Sequence, residues 1–325
     1  MTRAATENPA LPDRIVVGVD ETGRADDAVR MGLKLGRLLK TPVDLVHAVP
    51  RLPELWPGLD PARSTAYSSA LTERASRNVE ERVRPLFEER AQDVDLAGGR
   101  VRMAVARRTR WDLVRIVEGS PAKVLLDELR RTRAPWLVLG SHEKRGFPDF
   151  GSTLRTAFAK AHAPVWVQRR PVKAIERILV PVDLSRESLT ALATACALAR
   201  AFNASVRAVH WFHVGTYEFD AVLDSAAFTS PFPLDELRDT ERSSFETAME
   251  AFPWMTVDHR FEFDEGEPAG KILEGARSAD LVVLGAHGRT GLASVLLGGV
   301  AYTVLERCET PVLVIRDPDR GFQIP

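Results

Sequence analysis

Seven residues near the start of the chain, Arg14 to Asp20 (R-I-V-V-G-V-D), return in altered form at Arg177 to Asp183 (R-I-L-V-P-V-D). The correspondence continues to the end of each half. E-G-S-P-A-K-V-L-L-D-E-L from Glu118 matches E-G-E-P-A-G-K-I-L-E-G-A from Glu265, and P-W-L-V-L-G-S-H from Pro135 matches D-L-V-V-L-G-A-H from Asp280. A-P-V-W-V-Q-R from Ala163 then matches T-P-V-L-V-I-R from Thr310. A repeat of this length means one supersecondary unit built twice.

Within each unit, short continuous apolar runs alternate with amphipathic stretches. A run such as Leu281–Leu284 is too brief for a helix and too unbroken for a half-exposed strand, so it reads as a strand buried on both faces. Strand one ends at Asp20 or Asp183; strand two is Val43–Val49 or Ser205–Phe212, with His47 or His210 near its end. Strand three is expected over Asp112–Val117 and Val257–Phe263. Helices are expected over Arg24–Leu39 and Glu187–Phe202, the latter N-capped by Ser185, then over Pro61–Asp93 (kinked at Pro85) and Leu234–Ala251. Pro121 and Pro268 stand where a first helical residue tolerates proline.

The product is β-α-β-α-β-α-β-α-β in each half: two doubly wound, five-stranded parallel-sheet domains of Rossmann-like type with right-handed crossovers. The expected limits are a disordered tail at 1–12, domains at 13–170 and 174–316, and a tail at 317–325. Ligands of such sheets sit beyond the carboxyl ends of the strands, where strand order reverses.

Composition bounds the function. No apolar run reaches the ~20 residues of a membrane span, and the first residues lack the apolar core of a secretion signal. Cys196 and Cys308 lie far apart in apolar stretches and read as buried thiols of a reducing compartment. Residues 1–170 carry 30 Lys+Arg and 22 Asp+Glu, a net of +8, against 14 and 23, a net of −9, in residues 171–325. Opposite charge favours docking of the halves. The basic cluster Arg100–Arg115 lacks the interleaved aromatics of a nucleic-acid surface and reads as a solvated edge strand.

The chemistry concentrates between Ala279 and Arg316. The strand ending at Gly285 runs into a loop with Gly288 and Gly291, and Gly298-Gly299 open a helical segment, Val300–Arg307. Glycines at a strand end let backbone N–H groups approach an anion, and a helix start aims its unpaired N–H groups the same way. The layout suits a phosphate cradle.

On these residues the chain resembles a tandem universal stress protein over both halves. Nucleotide-binding members of that family share G-x-x-G, nine residues, then G followed by Ser or Thr. Here Gly285-Ala286-His287-Gly288, nine residues and Gly298 keep the spacing, with Gly299 in place of the hydroxyl residue. The resemblance implies an adenine-nucleotide α-hydrolase-like fold and a cytoplasmic stress-response role. It further implies a site for ATP, with Mg²⁺, made by Pro181, Val182, Asp183, Trp211, Leu284, Gly285, His287, Gly288, Arg289, Gly298, Gly299 and Val300. Asp183 would serve the ribose side and the glycines the phosphates. Trp211 stands where the family places a small apolar residue against adenine, so its indole either stacks on the base or fills its space.

The first half departs further. Glu143 replaces the second glycine, and Gly140 to Gly151-Ser152 is two residues shorter than its counterpart. A carboxylate beside a triphosphate is repulsive. Asp20, Gly140, Gly151 and Ser152 define a divergent second site at most, and a structural role is the first expectation for this half. Family resemblance also implies pairing of the halves through Val165–Gln168 and Val312–Ile315, and a homodimer. No nucleic-acid or membrane partner is implied.

Other readings are weaker. Gly18 to Gly23 lacks the Lys and Ser/Thr of a P-loop, and no G-x-G-x-x-G follows either first strand. No catalytic triad, carboxylate pair or metal-ligand cluster stands out, so slow ATP hydrolysis is the most that would be expected of an enzyme reading. The alternative class is a nucleotide-free scaffold acting through protein contacts, for which Glu143, Gly299 and Trp211 speak.

Overall fold

Apolar strands alternate with helices throughout the computed structural model, which describes residues 11–56, 58, 60–92, 114–132, 136–140, 142–144, 147–149, 152–171, 173–213, 234–288 and 297–316. The first half runs β1 (Ile15–Gly18), α1 (Asp26–Leu38), β2 (Val43–Val49), the single turn α2 (Leu52–Leu55), α3 (Pro61–Gln92), β3 (Val114–Glu118), α4 (Pro121–Thr132) and β4 (Trp136–Gly140). It continues with β5 (His142–Lys144), β6 (Phe147–Asp149), α5 (Ser152–Lys160) and β7 (Val165–Gln168). The second half runs β8 (Arg177–Pro181), α6 (Arg186–Phe202), β9 (Ser205–Phe212), α7 (Leu234–Glu250), β10 (His259–Glu265), α8 (Pro268–Ala276), β11 (Leu281–Gly285), α9 (Gly299–Arg307) and β12 (Val312–Ile315).

Contacts group the described residues up to Lys173 with 311–316 in one unit, and Ala174–Thr310 in the other. In the first unit the parallel order is β3-β2-β1-β4-β7, and β12 runs antiparallel to β7, with Val312 facing Val167. In the second unit the order is β10-β9-β8-β11, all parallel. Both therefore run outward from their first strand in one direction and then resume on its other side. That is the doubly wound order expected from the repeat.

The strand interiors bear out the reading of two-sided burial: Ile15, Val16 and Val17, like Leu281, Val282 and Val283, are fully shielded. Helix α6 packs a nearly continuous apolar face that includes Ala191, Leu192, Ala195 and Leu198. Ser185 caps it as expected, its hydroxyl accepting from the Ser188 amide at 3.2 Å. Both cysteines are buried, and burial pushes the Cys196 thiol up to about 12. None of the described helices is long and apolar enough to cross a membrane.

Three local expectations shift. Strand three begins two residues late in the second half, at His259, because Val257 turns back to the Trp254 carbonyl. Beyond Gly140 the first half forms an antiparallel hairpin, β5 with β6, pairing Glu143 with Pro148, where a loop was expected. Most of the basic stretch read as an edge strand, residues 100–113, lies outside the described residues.

The amino edge of the second sheet carries a lock between its two central strands. Asp280 Oδ2 accepts from the amides of Glu176 and Arg177 at 3.1 and 2.9 Å, and the Arg177 guanidinium meets Oδ1 at 3.1 Å. In return the Asp280 amide donates to the Arg177 carbonyl at 2.9 Å. This fixes the register of β8 against β11, Ile178 beside Leu281. Burial alone would raise the Asp280 pKa, but Arg177 and the two amides outweigh it and hold the carboxyl below its ordinary range. A depressed folded pKa gives stability that is present above the unfolded value near 3.9 and lost as pH falls through the folded one. Asp280→Asn is expected to cost about 1–2 kcal/mol at pH 7, discounted for the exposed guanidinium, and the cost is expected to vanish as acid protonates the carboxyl. Urea denaturation of both proteins across that range reads the difference.

Candidate functional site

Order reverses between β8 and β11, so their carboxyl ends part and leave a crevice that no neighbouring strand fills. On the β8 side the chain leaves the sheet through Asp183. Its Oδ1 accepts from the Ser185 amide at 3.0 Å, closing an Asx turn over Leu184. Leu184 is thereby held at φ +64°, a left-handed conformation that costs a side chain of this kind about 1–2 kcal/mol. Behind the turn, His210 Nδ1 lies 2.7 Å from the Val182 carbonyl, which can only accept, so the ring donates. His47 makes the same contact with Val19 at 2.8 Å, immediately before Asp20. The two histidines are straps on the strand ends.

On the β11 side, each glycine of the motif sits against something different. A Cβ on Gly285 would lie 3.0–3.2 Å from Glu187 Cβ, Glu187 C and Ser188 N, so this glycine lets the start of α6 pack on the strand end. A Cβ on Gly288 would come within 2.6 Å of Asp183 Oδ2, which brings the loop onto the aspartate across the crevice. Gly298 donates its amide to the Ala286 carbonyl at 2.8 Å and closes the loop at its far end. A Cβ on Gly299 would meet nothing within 4 Å. Helix α9 begins there with no side-chain hydrogen bond from its N-cap, Gly298, and the amides of Gly299 and Val300 have no partner within the helix.

Sequence reasoning missed one member of this group. Glu187, in the first turn of α6, is 5 % exposed, and its Oε2 accepts from the His287 amide at 2.6 Å. Its Oε1 lies 3.3 Å from His287 Nδ1. The amide of His287, a residue that the resemblance places in the nucleotide site, is therefore held by a side chain of the protein. Nothing in the glycine spacing announces this contact, because it joins residues a hundred positions apart.

Trp211 is buried at 8 % exposure, and its indole hydrogen-bonds Asp264 on β10. Strand β10 lies on the far side of β9 from β8, so this bond holds the ring toward the sheet edge, away from the crevice. The Glu265 amide first, then Lys271 and Trp211, keep the Asp264 carboxyl below its ordinary range against the effect of burial. Val182 and Leu284 are buried at the strand ends and Pro181 is half-buried. Arg289 lies outside the described residues.

In the first unit Asp20 spends both oxygens on its own turn: Oδ1 accepts from the amides of Thr22 and Gly23, and Oδ2 from the Thr22 hydroxyl. Gly140 abuts the chain entering α1, where a Cβ would meet the Arg24 carbonyl oxygen at 2.7 Å. Gly151 lies outside the described residues, and Ser152 opens α5.

A cavity of about 360 Å³ opens at the opposite, amino-terminal edge of the second unit. Its arginines are already engaged: Arg177 with Asp280, and Arg207 and Arg260 sharing Glu262. The crevice remains the better candidate, since there the free helix start, the aspartate and the glycine loop meet.

Comparison with known proteins agrees with the fold and the repeat. The family model described as "Universal stress protein family" matches residues 12–169 and 174–316. A universal stress protein of Mycolicibacterium smegmatis is 28% identical over 331 residues, covering 97% of this chain and 99% of that protein. One from Methanocaldococcus jannaschii is 33% identical over 147 residues, 45% of this chain and 84% of its own length. The crystal structure of a universal stress protein from Archaeoglobus fulgidus is similar in fold, with TM-score 0.57 and 14% identity, covering 95% of this chain and 99% of that one.

The glycines of the loop should separate in a stability experiment. Gly285→Ala forces a methyl against backbone that cannot retreat and is expected to cost about 1–3 kcal/mol. Gly299→Ala enters open space at a first helical position and is expected to leave stability unchanged or slightly raised. Urea midpoints of the two variants against the unaltered protein measure the contrast.

Proposed function

The chain belongs to the universal stress protein family, and on that premise we propose that it is a cytoplasmic stress-response protein whose C-terminal half binds an adenine nucleotide, ATP or a relative of it, in the crevice beyond β8 and β11. The observation that carries this reading is the start of α9. Among the described residues no side chain caps that start, the position beside Gly299 is open, and Gly298 lies next to Gly288, which rests on Asp183. Backbone N–H groups at such a terminus hold phosphate oxygens without any basic side chain. The amides of Gly288, Gly299 and Val300 take the phosphates in this reading, with Mg²⁺ offsetting their charge. Asp183 takes a ribose hydroxyl, and the strand ends at Pro181, Val182 and Leu284 back the base.

The first half serves as structure in this proposal. Asp20 is consumed by its own turn, and a hairpin stands where a phosphate loop would be. One observation favours the second reading, a nucleotide-free scaffold: the His287 amide already has a carboxylate on it.

Nucleotide is expected in the supernatant of the denatured, purified protein by mass spectrometry. Titration calorimetry with ATP and Mg²⁺ is expected to give saturable micromolar binding. Empty supernatant together with no heat of binding leaves the scaffold reading alone. Gly299→Ser restores a hydroxyl where there is room for it, and one added hydrogen bond to phosphate is expected to tighten binding by about two- to tenfold. Unchanged affinity in that variant would move the phosphates away from the start of α9.

A further inference from the structure

A phosphate oxygen and a carboxylate oxygen ask the same thing of a backbone N–H: a short, charge-assisted hydrogen bond. The amide of His287 lies inside the glycine loop, between Gly285 and Gly288, and Glu187 Oε2 accepts from it at 2.6 Å. Glu187 Oε1 reaches the ring of the same residue at 3.3 Å. The carboxylate stands in the first turn of α6, where a helix start favours negative charge, and it is almost fully withdrawn from solvent. Its backbone packs on Gly285, which places the residue at the loop. Asp183 adds a second carboxylate at the same mouth, against Gly288.

We propose that Glu187 is a resident anion of the cradle, standing in for one ligand oxygen, and that it makes the site select among adenine nucleotides by phosphate charge, favouring the monophosphate over the triphosphate. The inference rests on the nucleotide reading above and names the ligand class within it. Its physical basis is twofold. One donor of the cradle is occupied before any ligand arrives, which leaves fewer amides for a chain of phosphates. At an effective dielectric of about 20, each further unit of negative charge within about 10 Å of a fixed carboxylate lowers affinity on the order of tenfold. Mg²⁺ bound to the triphosphate offsets part of that charge, so the preference narrows when the metal is present.

The test uses the full-length protein, with AMP and ATP titrated calorimetrically in EDTA and then in Mg²⁺. The unaltered protein is expected to bind AMP at least about tenfold more tightly than ATP in EDTA, with the gap closing on addition of Mg²⁺. Glu187→Gln keeps an acceptor for the His287 amide and removes only the charge. It is expected to raise ATP affinity by at least about tenfold more than it raises AMP affinity. Glu187→Ala frees the amide as well and is expected to shift the ratio in the same direction. If both nucleotides move together in the variants, Glu187 merely anchors the loop and the selectivity proposal fails. An unaltered protein that prefers ATP in EDTA also overturns it, and this arm decides the matter should the variants not fold. Binding with an unchanged ratio removes this inference alone. No binding of either nucleotide to any of the proteins removes the nucleotide reading and this inference with it.

Discussion

Two adjacent parallel strands whose continuations leave in opposite directions cannot cover their own carboxyl ends. That constraint, met at β8 and β11, shapes the rest of the second unit. It leaves a crevice, puts Asp183 on one wall and the glycine loop on the other, and requires the two walls to be held in register from elsewhere. The Asp280 lock does so from the opposite edge, where two backbone amides and a guanidinium converge on one carboxylate. The His210 strap does so from behind, tying the carbonyl before Asp183 to strand two. In the lock a carboxylate can only accept and the amides and guanidinium can only donate, and in the strap the Val182 carbonyl can only accept, which gives the strand ends one arrangement.

The crevice is electrically mixed. A helix start and the backbone amides of a glycine loop present partial positive charge, while Asp183 and Glu187 present carboxylates. Such a site does not collect anions indiscriminately. It weighs phosphates against fixed negative charge, and the balance depends on how many phosphates arrive and whether a metal accompanies them. The first unit shows another outcome of the same topology: Asp20 closes its own turn, Arg82 clamps Asp26 with both guanidinium arms at 3.0 Å, and a hairpin follows Gly140.

Much of the architecture was legible because its causes are local. Two-sided burial writes continuous apolar runs, so the strands could be read from composition alone, and the repeat made each half a check on the other. Ser185 was legible as a cap because capping depends on the residue next to the helix. The hairpin after Gly140 was harder, since Glu143, Pro148 and Asp149 carry no alternating apolar pattern. The shifted start of β10 turned on a single backbone contact between Trp254 and Val257.

The chain's sequence by itself determined the doubly wound order, the repeat, the strand ends on which ligands gather and the glycines that shape the loop between them. These follow from periodicity, from chain stiffness at proline and from the freedom of glycine, all of which act within a few residues. Only the tertiary structure decided which amides of that loop are already engaged, where the indole of Trp211 lies, and that Glu187 belongs to the crevice. Those depend on side chains brought together from opposite ends of a domain, and hydrogen bonding across such distances leaves no trace in local sequence.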